Sequence, residues 1–463
     1  MHEIEKIIED KRSEFERISD TIWEYAEIGF NEYHSSKLLK EYLASEEFRI
    51  IDNCGNLETA FMAEYGEGKP VIAFLGEYDA LEGLSQKAEE YEKVPVEGKT
   101  TGHGCGHNCL AGGAVAATIG LKEYVKHHHL RCTIRFYGCP AEENGSGKSV
   151  MVRNGAFDGV DITFTWHPDD LNLSVTHTSL ANAKYSFEFF GRSAHAALNP
   201  DKGRSALDAV ELMNIGANYL REHMSSDARV HYAVTNTGGL EPNVVQAYAQ
   251  VVYLIRANTE KTVKELTKRI DKIAQGAALM TETKMEKKYI KSCANLIPNA
   301  TLQQLLYRKM KEVESPKYTK EELQQATKWQ ATFEEKDDYL DTIANKYSGD
   351  EKKDILHYRE EQLKTLILPY REDNEPSLAS TDVGDVSRIC PVGQIGAVTW
   401  VANTPLHSWQ AVAQGQSTIA HKGLIYAGKV LAIAALEVIT NPRIRQETLD
   451  EWERWKYLFI NEA

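Results

Sequence analysis

The sequence predicts an α/β protein of two domains, a mainly parallel sheet layered between helices with an α+β unit inserted into it. Three observations carry this expectation. Short apolar runs alternate with helical stretches through the first 170 or so residues and again near the end of the chain, as in strands joined by crossover helices. From residue 183 the period switches to strict apolar–polar alternation, the mark of a half-exposed strand. The 463 residues suggest two or three domains at ~150 residues each. The expected boundaries are 1–182 and 295–463 for the first domain and 183–294 for the insert.

The elements follow in order. Ile4, Ile7, Ile8, Phe15, Ile18, Ile22 and Trp23 fall at steps of three and four, and Leu38, Leu39 and Leu43 resume the helical spacing after a break at Gly29. Strand-like runs follow at 57–65 and 71–75, then an Ala- and Gly-rich helix at 109–125, then apolar runs at 132–137 and 162–166. In the insert, Ala183, Tyr185, Phe187 and Phe189 alternate with Lys184, Ser186 and Glu188. A helix at 205–223, strands at 230–236 and 244–257 and a helix at 260–277 complete a β-α-β-β-α unit with one sheet face open. Residues 310–375 are highly charged and read as solvated surface helices with a long loop at 347–354. A strand at 394–401, a long helix at 408–440 and an amphipathic stretch close the chain. The apolar run at 424–439 is interrupted by Lys429 and Glu437, which makes it a buried helix rather than a ~20-residue membrane span.

Composition narrows the partners. With 53 basic and 68 acidic residues the net charge is −15, and no Lys/Arg cluster overrides it, so nucleic acid and anionic membranes are not expected partners. Cys54, Cys105, Cys109, Cys132, Cys139, Cys293 and Cys390 form no disulfide framework and suit a reducing cytoplasm. The charged N-terminus has no apolar core of a signal peptide. Cytoplasmic location is the expectation.

The chemistry concentrates where apolar runs end. In Gly102-His103-Gly104-Cys105-Gly106-His107-Asn108 a thiol and an imidazole flank a glycine just before a helix. That pair suits Zn²⁺ or another divalent transition ion, with His103 supporting a ligand rather than acting as one. Pro140-Ala141-Glu142-Glu143 follows a strand. Two adjacent carboxylates can divide the labour, one holding metal and the other taking a proton from water. His167 ends another apolar run, His407 precedes the closing helix, and Asp79 follows the run at 71–75. An aspartate there can hold a ligand histidine in one tautomer. The supply matches two ions ~3.5–4 Å apart sharing one water. No Gly-x-Ser-x-Gly elbow is present, and neither Gly191-Arg192-Ser193-Ala194 nor Gly145-Ser146-Gly147-Lys148 has phosphate-loop spacing.

The order Asp79, Cys105-Gly106-His107, Glu142-Glu143, His167, Ser193-Ala194-His195-Ala196-Ala197, His407 resembles the M20 metallopeptidase family, in its Cys-Gly-His amidohydrolase branch. The likeness spans nearly the whole chain. It implies a catalytic first domain and a lid and dimerisation role for the insert. It implies Cys105, His107, Glu143, His167 and His407 as ligands of two divalent ions, zinc or manganese, with Glu142 as general base and Asp79 orienting a ligand. It implies that His195 reaches the substrate oxygen and that Asn243 and Arg256 hold the substrate. A histidine donor fits a developing oxyanion and an arginine fits a carboxylate. The implied substrate is a small N-acyl or aryl-acyl amino acid, p-aminobenzoyl-glutamate or a relative. The implied assembly is a homodimer or a hetero-oligomer with a homologous subunit. A dipeptidase, another N-acyl amino acid hydrolase and a non-catalytic metal-binding partner chain are the alternatives. Asn108 stands where many branch members carry Asp, and Asp169-Asp170 is a further departure, expected to face solvent.

Overall fold

The computed structural model describes residues 3–334, 339–372 and 376–462, with side chains through 457. Parts of the charged excursion, 335–338 and 373–375, and the first two residues lie outside the described residues. The strands are β1 (Arg49–Asp52), β2 (Phe61–Gly66), β3 (Val71–Glu77), β4 (Leu81–Glu82), β5 (Thr101–Gly102), β6 (Thr133–Cys139), β7 (Ile162–Asp169), β8 (Leu173–Ser174), β9 (Ala181–Phe190), β10 (Arg229–Asn236), β11 (Tyr248–Ala257), β12 (Lys284–Cys293) and β13 (Val392–Val398). They fall into two compact units.

The first unit takes the described residues within 1–177, 297–374 and 386–457. Its seven-stranded sheet runs β1-β2-β6-β3-β7-β13-β8. The four central strands are parallel, and β1, β2 and β8 join antiparallel at the edges. β3 is buried at all seven positions, as a central parallel strand covered on both faces must be. β1 is not among the strands the sequence predicts. Its four residues, Arg-Ile-Ile-Asp, are too few to show a period.

Two apolar helices, His107–His127 and Thr418–Thr440, pack against each other in the core. A Cβ on Gly428 would lie 2.8 Å from the Ala116 Cβ and 3.0 Å from the Gly113 carbonyl oxygen, so glycine sets how closely the helices approach. Among the described residues Thr418–Thr440 alone is long and apolar enough to cross a membrane, and 83% of its apolar window is buried within the protein. The long helix expected at 408–440 is two helices, Trp409–Gln414 and Thr418–Thr440. The break comes at Gly415–Ser417, where the Ser417 hydroxyl accepts from Ala420 N and caps the second helix.

The loop expected at 347–354 is mostly helix, Gly349–His357. Ile355 is its buried anchor and packs with Leu171, Leu340, Ala344 and Leu368. Two adjacent apolar residues, Ile355 and Leu356, at the end of a nine-residue helix are too few to show a period. Nor is the excursion wholly solvated, because Trp329 is fully buried with Val398, Val401 and Ile419.

The second unit takes the described residues within 178–296, 375–385 and 458–463. Its antiparallel sheet runs β10-β11-β9-β12. Helices Ala206–Leu220 and Glu260–Thr281 cover one face, where Phe187, Phe189, Val251, Tyr253 and Ile255 meet Val210, Met213, Leu266 and Ile270. The expected β-α-β-β-α unit gains a sixth element, β12. Its sequence, Lys-Met-Glu-Lys-Lys-Tyr-Ile-Lys-Ser-Cys, carries the lysines that blunt an edge strand and hide its alternation.

Gly428→Leu is expected to force the two core helices apart and cost about 1–3 kcal/mol. Urea unfolding checks it. An unchanged midpoint and slope would contradict the close crossing.

Candidate metal centre and active site

The parallel strands deliver their carboxyl ends to one edge, where open α/β sheets bind ligands. Glu77 on β3 pairs with Cys139 on β6, so the turns carrying Asp79 and Glu142-Glu143 start side by side. His167 on β7 pairs with Gly396 on β13. The Cys105 loop lies before the helix His107–His127. Gly106 there has φ +78°, and a Cβ on it would meet the Trp400 ring at 2.5 Å, so this position requires glycine. His407 has φ +54°, and its N–H donates to the Gly104 carbonyl at 3.1 Å, which ties it to the same loop.

Donor atoms converge there in three overlapping groups, each within 4.8 Å: Cys105, His107 and His167; Cys105, Glu143 and His407; His107, Glu142 and Glu143. Cys105 Sγ lies 3.4 Å from His167 Nε2, and His407 Nε2 lies 3.5 Å from Glu143 Oε1. Asp79 is fully buried and engaged at both oxygens. Oδ1 accepts from His107 Nδ1 at 2.9 Å, and Oδ2 accepts from the Glu143 backbone N–H at 2.9 Å. Burial opposes ionisation of Asp79, but His107 and the Glu143 N–H together hold its pKa below the usual carboxylate value.

The buried His107 and half-buried His167 imidazoles are both fixed through Nδ1. A carboxylate and a carbonyl can only accept, so His107 donates Nδ1–H to Asp79 and His167 donates Nδ1–H to the Pro168 carbonyl at 2.7 Å. Each therefore turns Nε2 toward the cluster, and in the neutral ring that nitrogen carries the lone pair that metal ligation needs. His107 Nε2 is buried and has no hydrogen-bond partner. Burial pushes the Cys105 thiol up to about 12, so a thiolate at this position requires a cation beside it. An unsatisfied imidazole nitrogen, a buried sulfur and converging carboxylates fit a divalent transition ion.

Two participants, Glu77 and Lys148, carry no signal in the sequence that singles them out. Glu77 Oε2 lies 3.2 Å from His107 Nε2, outside hydrogen-bond geometry, and Glu77 Oε1 is 2.7 Å from Lys148 Nζ. Glu77 is 3% exposed and Lys148 0%. Burial opposes the Glu77 charge, and the Lys148 ammonium and His107 keep its pKa below the ordinary value. The one available hint is position, since Glu77 precedes Asp79 by two residues at the end of an all-buried strand.

The sequence departures resolve into structural roles. Asn108 is fully buried and donates to Ser19 Oγ and the Gly415 carbonyl, each at 3.0 Å. A carboxylate there could do neither, being acceptor-only when ionised. Asp169 accepts from the Asp170 N–H at 2.7 Å and Asp170 from the Asn403 N–H at 2.6 Å. Rather than facing solvent, both are half-buried and tie loops together. His103 is buried, and its Nε2 donates to the Ile22 carbonyl.

His195, Asn243 and Arg256 belong to the second unit. The Ala196 N–H donates to the Asn243 carbonyl at 2.9 Å, so the first two share one pair of loops. His195 Nδ1 accepts from the Ala197 and Leu198 N–H groups, each at 3.2 Å, which leaves the proton on the exposed Nε2. Arg256 lies on β11 opposite Asn182 and donates to Ser380 Oγ at 3.5 Å, and its Nε is buried without a hydrogen-bond partner.

Residues 73–286 match the peptidase family M20/M25/M40. The chain is 44% identical over 453 residues to one of the subunits of p-aminobenzoyl-glutamate hydrolase of Escherichia coli (strain K12), covering 97% of this chain and 94% of that one. It is 32% identical over 302 residues to the Xaa-Arg dipeptidase of Mus musculus, 62% of this chain and 65% of that one. In fold it resembles a dinuclear metal-binding peptidase from Bacillus subtilis, at TM-score 0.55 and 16% identity over 93% of this chain and 99% of that one. Fold and site define a metal-dependent hydrolase of amide bonds. The chain belongs to the M20/M25/M40 peptidase family.

Lys148→Met leaves the Glu77 carboxylate buried without its cation and is expected to cost about 3–5 kcal/mol in denaturant unfolding. Adding Glu77→Gln to it should recover part of the loss. A neutral Lys148→Met would contradict the assignment.

Proposed function

We propose that the chain cleaves the amide of an aryl-acyl or N-acyl amino acid, with p-aminobenzoyl-glutamate as the first substrate to test. The observation that carries this reading is the triple convergence of donor atoms around Cys105, His107, Glu142, Glu143, His167 and His407. The name of the Escherichia coli relative supports the choice of amide. In this reading Cys105, His107, Glu143, His167 and His407 hold two divalent ions, zinc or manganese, and Asp79 keeps His107 in the ligating tautomer. When bound, such a pair supplies Lewis acidity and a water of lowered pKa. The Glu142 carboxylate takes the proton of the attacking water and returns it to the leaving nitrogen. His195 donates Nε2–H to the carbonyl oxygen as negative charge develops there. Asn243 and Arg256 hold the substrate, the guanidinium matching the α-carboxylate.

The insert, 183–294, serves as lid and dimerisation surface. The assembly is a pair of these chains or a complex with a homologous chain, and the Escherichia coli relative, itself named as one subunit of a hydrolase, supports an assembly of several chains. The compartment is the cytoplasm, in keeping with seven cysteines that form no disulfide. A dipeptidase remains the second reading, supported by the dipeptidase relative from Mus musculus.

Purified protein is to be assayed for released amine on p-aminobenzoyl-glutamate, N-acyl amino acids and dipeptides, with metal content measured alongside. Release from the first class, with two ions per chain, is expected. Release from dipeptides alone would favour the second reading, and no release from any class would overturn both. Glu142→Gln should retain its metal and lose about 10²–10⁴ in kcat. A Glu142→Gln chain of parental activity would refute the base.

A further inference from the structure

The connection 26–32, between helices Arg12–Tyr25 and Tyr33–Ser45, touches both turns that carry catalytic carboxylates. Glu27 O accepts from the Ala80 N–H at 2.7 Å, and Ile28 bridges to Ala80, one residue past Asp79. A Cβ on Gly29 would lie 2.1 Å from Asn144 Oδ1 and 2.9 Å from the Ala141 Cβ, and one on Gly145 would strike the Phe30 ring at 2.2 Å. Segment and turn are in direct contact, with room for nothing larger than hydrogen at either glycine.

At the end of this segment Glu32 is fully buried, and its Oε1 accepts from the Ala141 N–H at 2.8 Å. Ala141 is also buried, with φ +56°, a conformation costly for a residue with a Cβ and kept only where surroundings impose it. Two carboxylates therefore hold the turn on either side of Glu142. Glu32 takes the N–H before it, and Asp79 takes the Glu143 N–H after it at 2.9 Å. We propose that Glu32 is a positioning residue for Glu142, fixing through Ala141 the turn that aims the general base. This rests on the reading of Glu142 as that base.

The surroundings agree. Burial and the neighbouring Asp79 carboxylate push the Glu32 carboxyl up to about 7, against the pull of the Ala141 N–H. An apolar side chain would fill this space without the cost of desolvating a carboxyl, but it would leave the Ala141 N–H buried without an acceptor.

Three variants separate positioning from bulk. Glu32→Gln keeps a carbonyl acceptor at the same reach. Glu32→Leu removes the acceptor. Glu32→Asp keeps the charge but falls about 1.5 Å short. Steady-state kinetics on p-aminobenzoyl-glutamate, metal content and amide hydrogen exchange of the peptide spanning 139–146 are measured for each. The expected result is a kcat loss on the order of 30- to 100-fold for Leu and Asp, with KM and metal content within about threefold of parent. Gln should stay within about threefold of parent. Exchange at Ala141 should quicken about tenfold or more in Leu and Asp and not in Gln. Should Leu fail to fold, the Asp–Gln pair decides. The proposal is overturned if the acceptor-lacking variants keep parental kcat and protection, if Gln loses as much as they do, or if the loss lies only in KM or metal content. A parent chain that releases no amine sinks the reading of Glu142, and the exchange rates then decide alone whether Glu32 holds the turn.

Discussion

The buried carboxylate of Asp79 does two jobs, and the site depends on both. One oxygen fixes the proton of His107 on Nδ1, and the other holds the backbone that presents Glu142 and Glu143. An imidazole from a helix N-terminus and a carboxylate pair from a strand end are thereby set relative to each other through a single side chain with no solvent exposure. The cost of burying that charge is met locally, by His107 and a backbone N–H, and the same two bonds orient the groups to which the proposed function assigns the chemistry.

This arrangement follows from the sheet. Parallel strands end in register, so turns far apart in sequence emerge together. The register of β3 with β6 places the Asp79 and Glu142 turns side by side, and that of β7 with β13 places His167. The glycines of the Cys105 loop then allow backbone to approach where a side chain would collide, most plainly at Gly106 against Trp400. The ion pair of Glu77 and Lys148 puts a compensated negative charge beside the His107 Nε2, so that the centre sits in a buried charge network rather than an isolated ligand cage.

Residue type and position made the parts of the site with unusual chemistry legible in the sequence. Cys105, His107, Glu142, Glu143, His167 and His407 each stand at the end of an apolar run or the start of a helix, and the structure gathers their donor atoms. Glu77, Lys148 and Glu32 look like common surface residues in sequence, because the contacts that bury them are with distant segments. Asn108 reads in sequence as a change in the metal site and is instead a packing bond between helices. For the fold, long periodic helices and all-buried strands are plain. Short or charged elements are not: β1 has four residues, β12 hides its alternation behind lysines, and Gly349–His357 shows one buried anchor in nine residues.

The claim beneath all of this is that a cysteine sulfur and imidazole nitrogens from separate strand ends bind divalent metal together. X-ray absorption spectroscopy of the zinc-loaded chain addresses it most directly. The account predicts sulfur scattering at about 2.3 Å beside nitrogen and oxygen at about 2.0–2.2 Å, with the sulfur lost in Cys105→Ser. A spectrum fitted by nitrogen and oxygen alone, or a sulfur signal that survives Cys105→Ser, would contradict it.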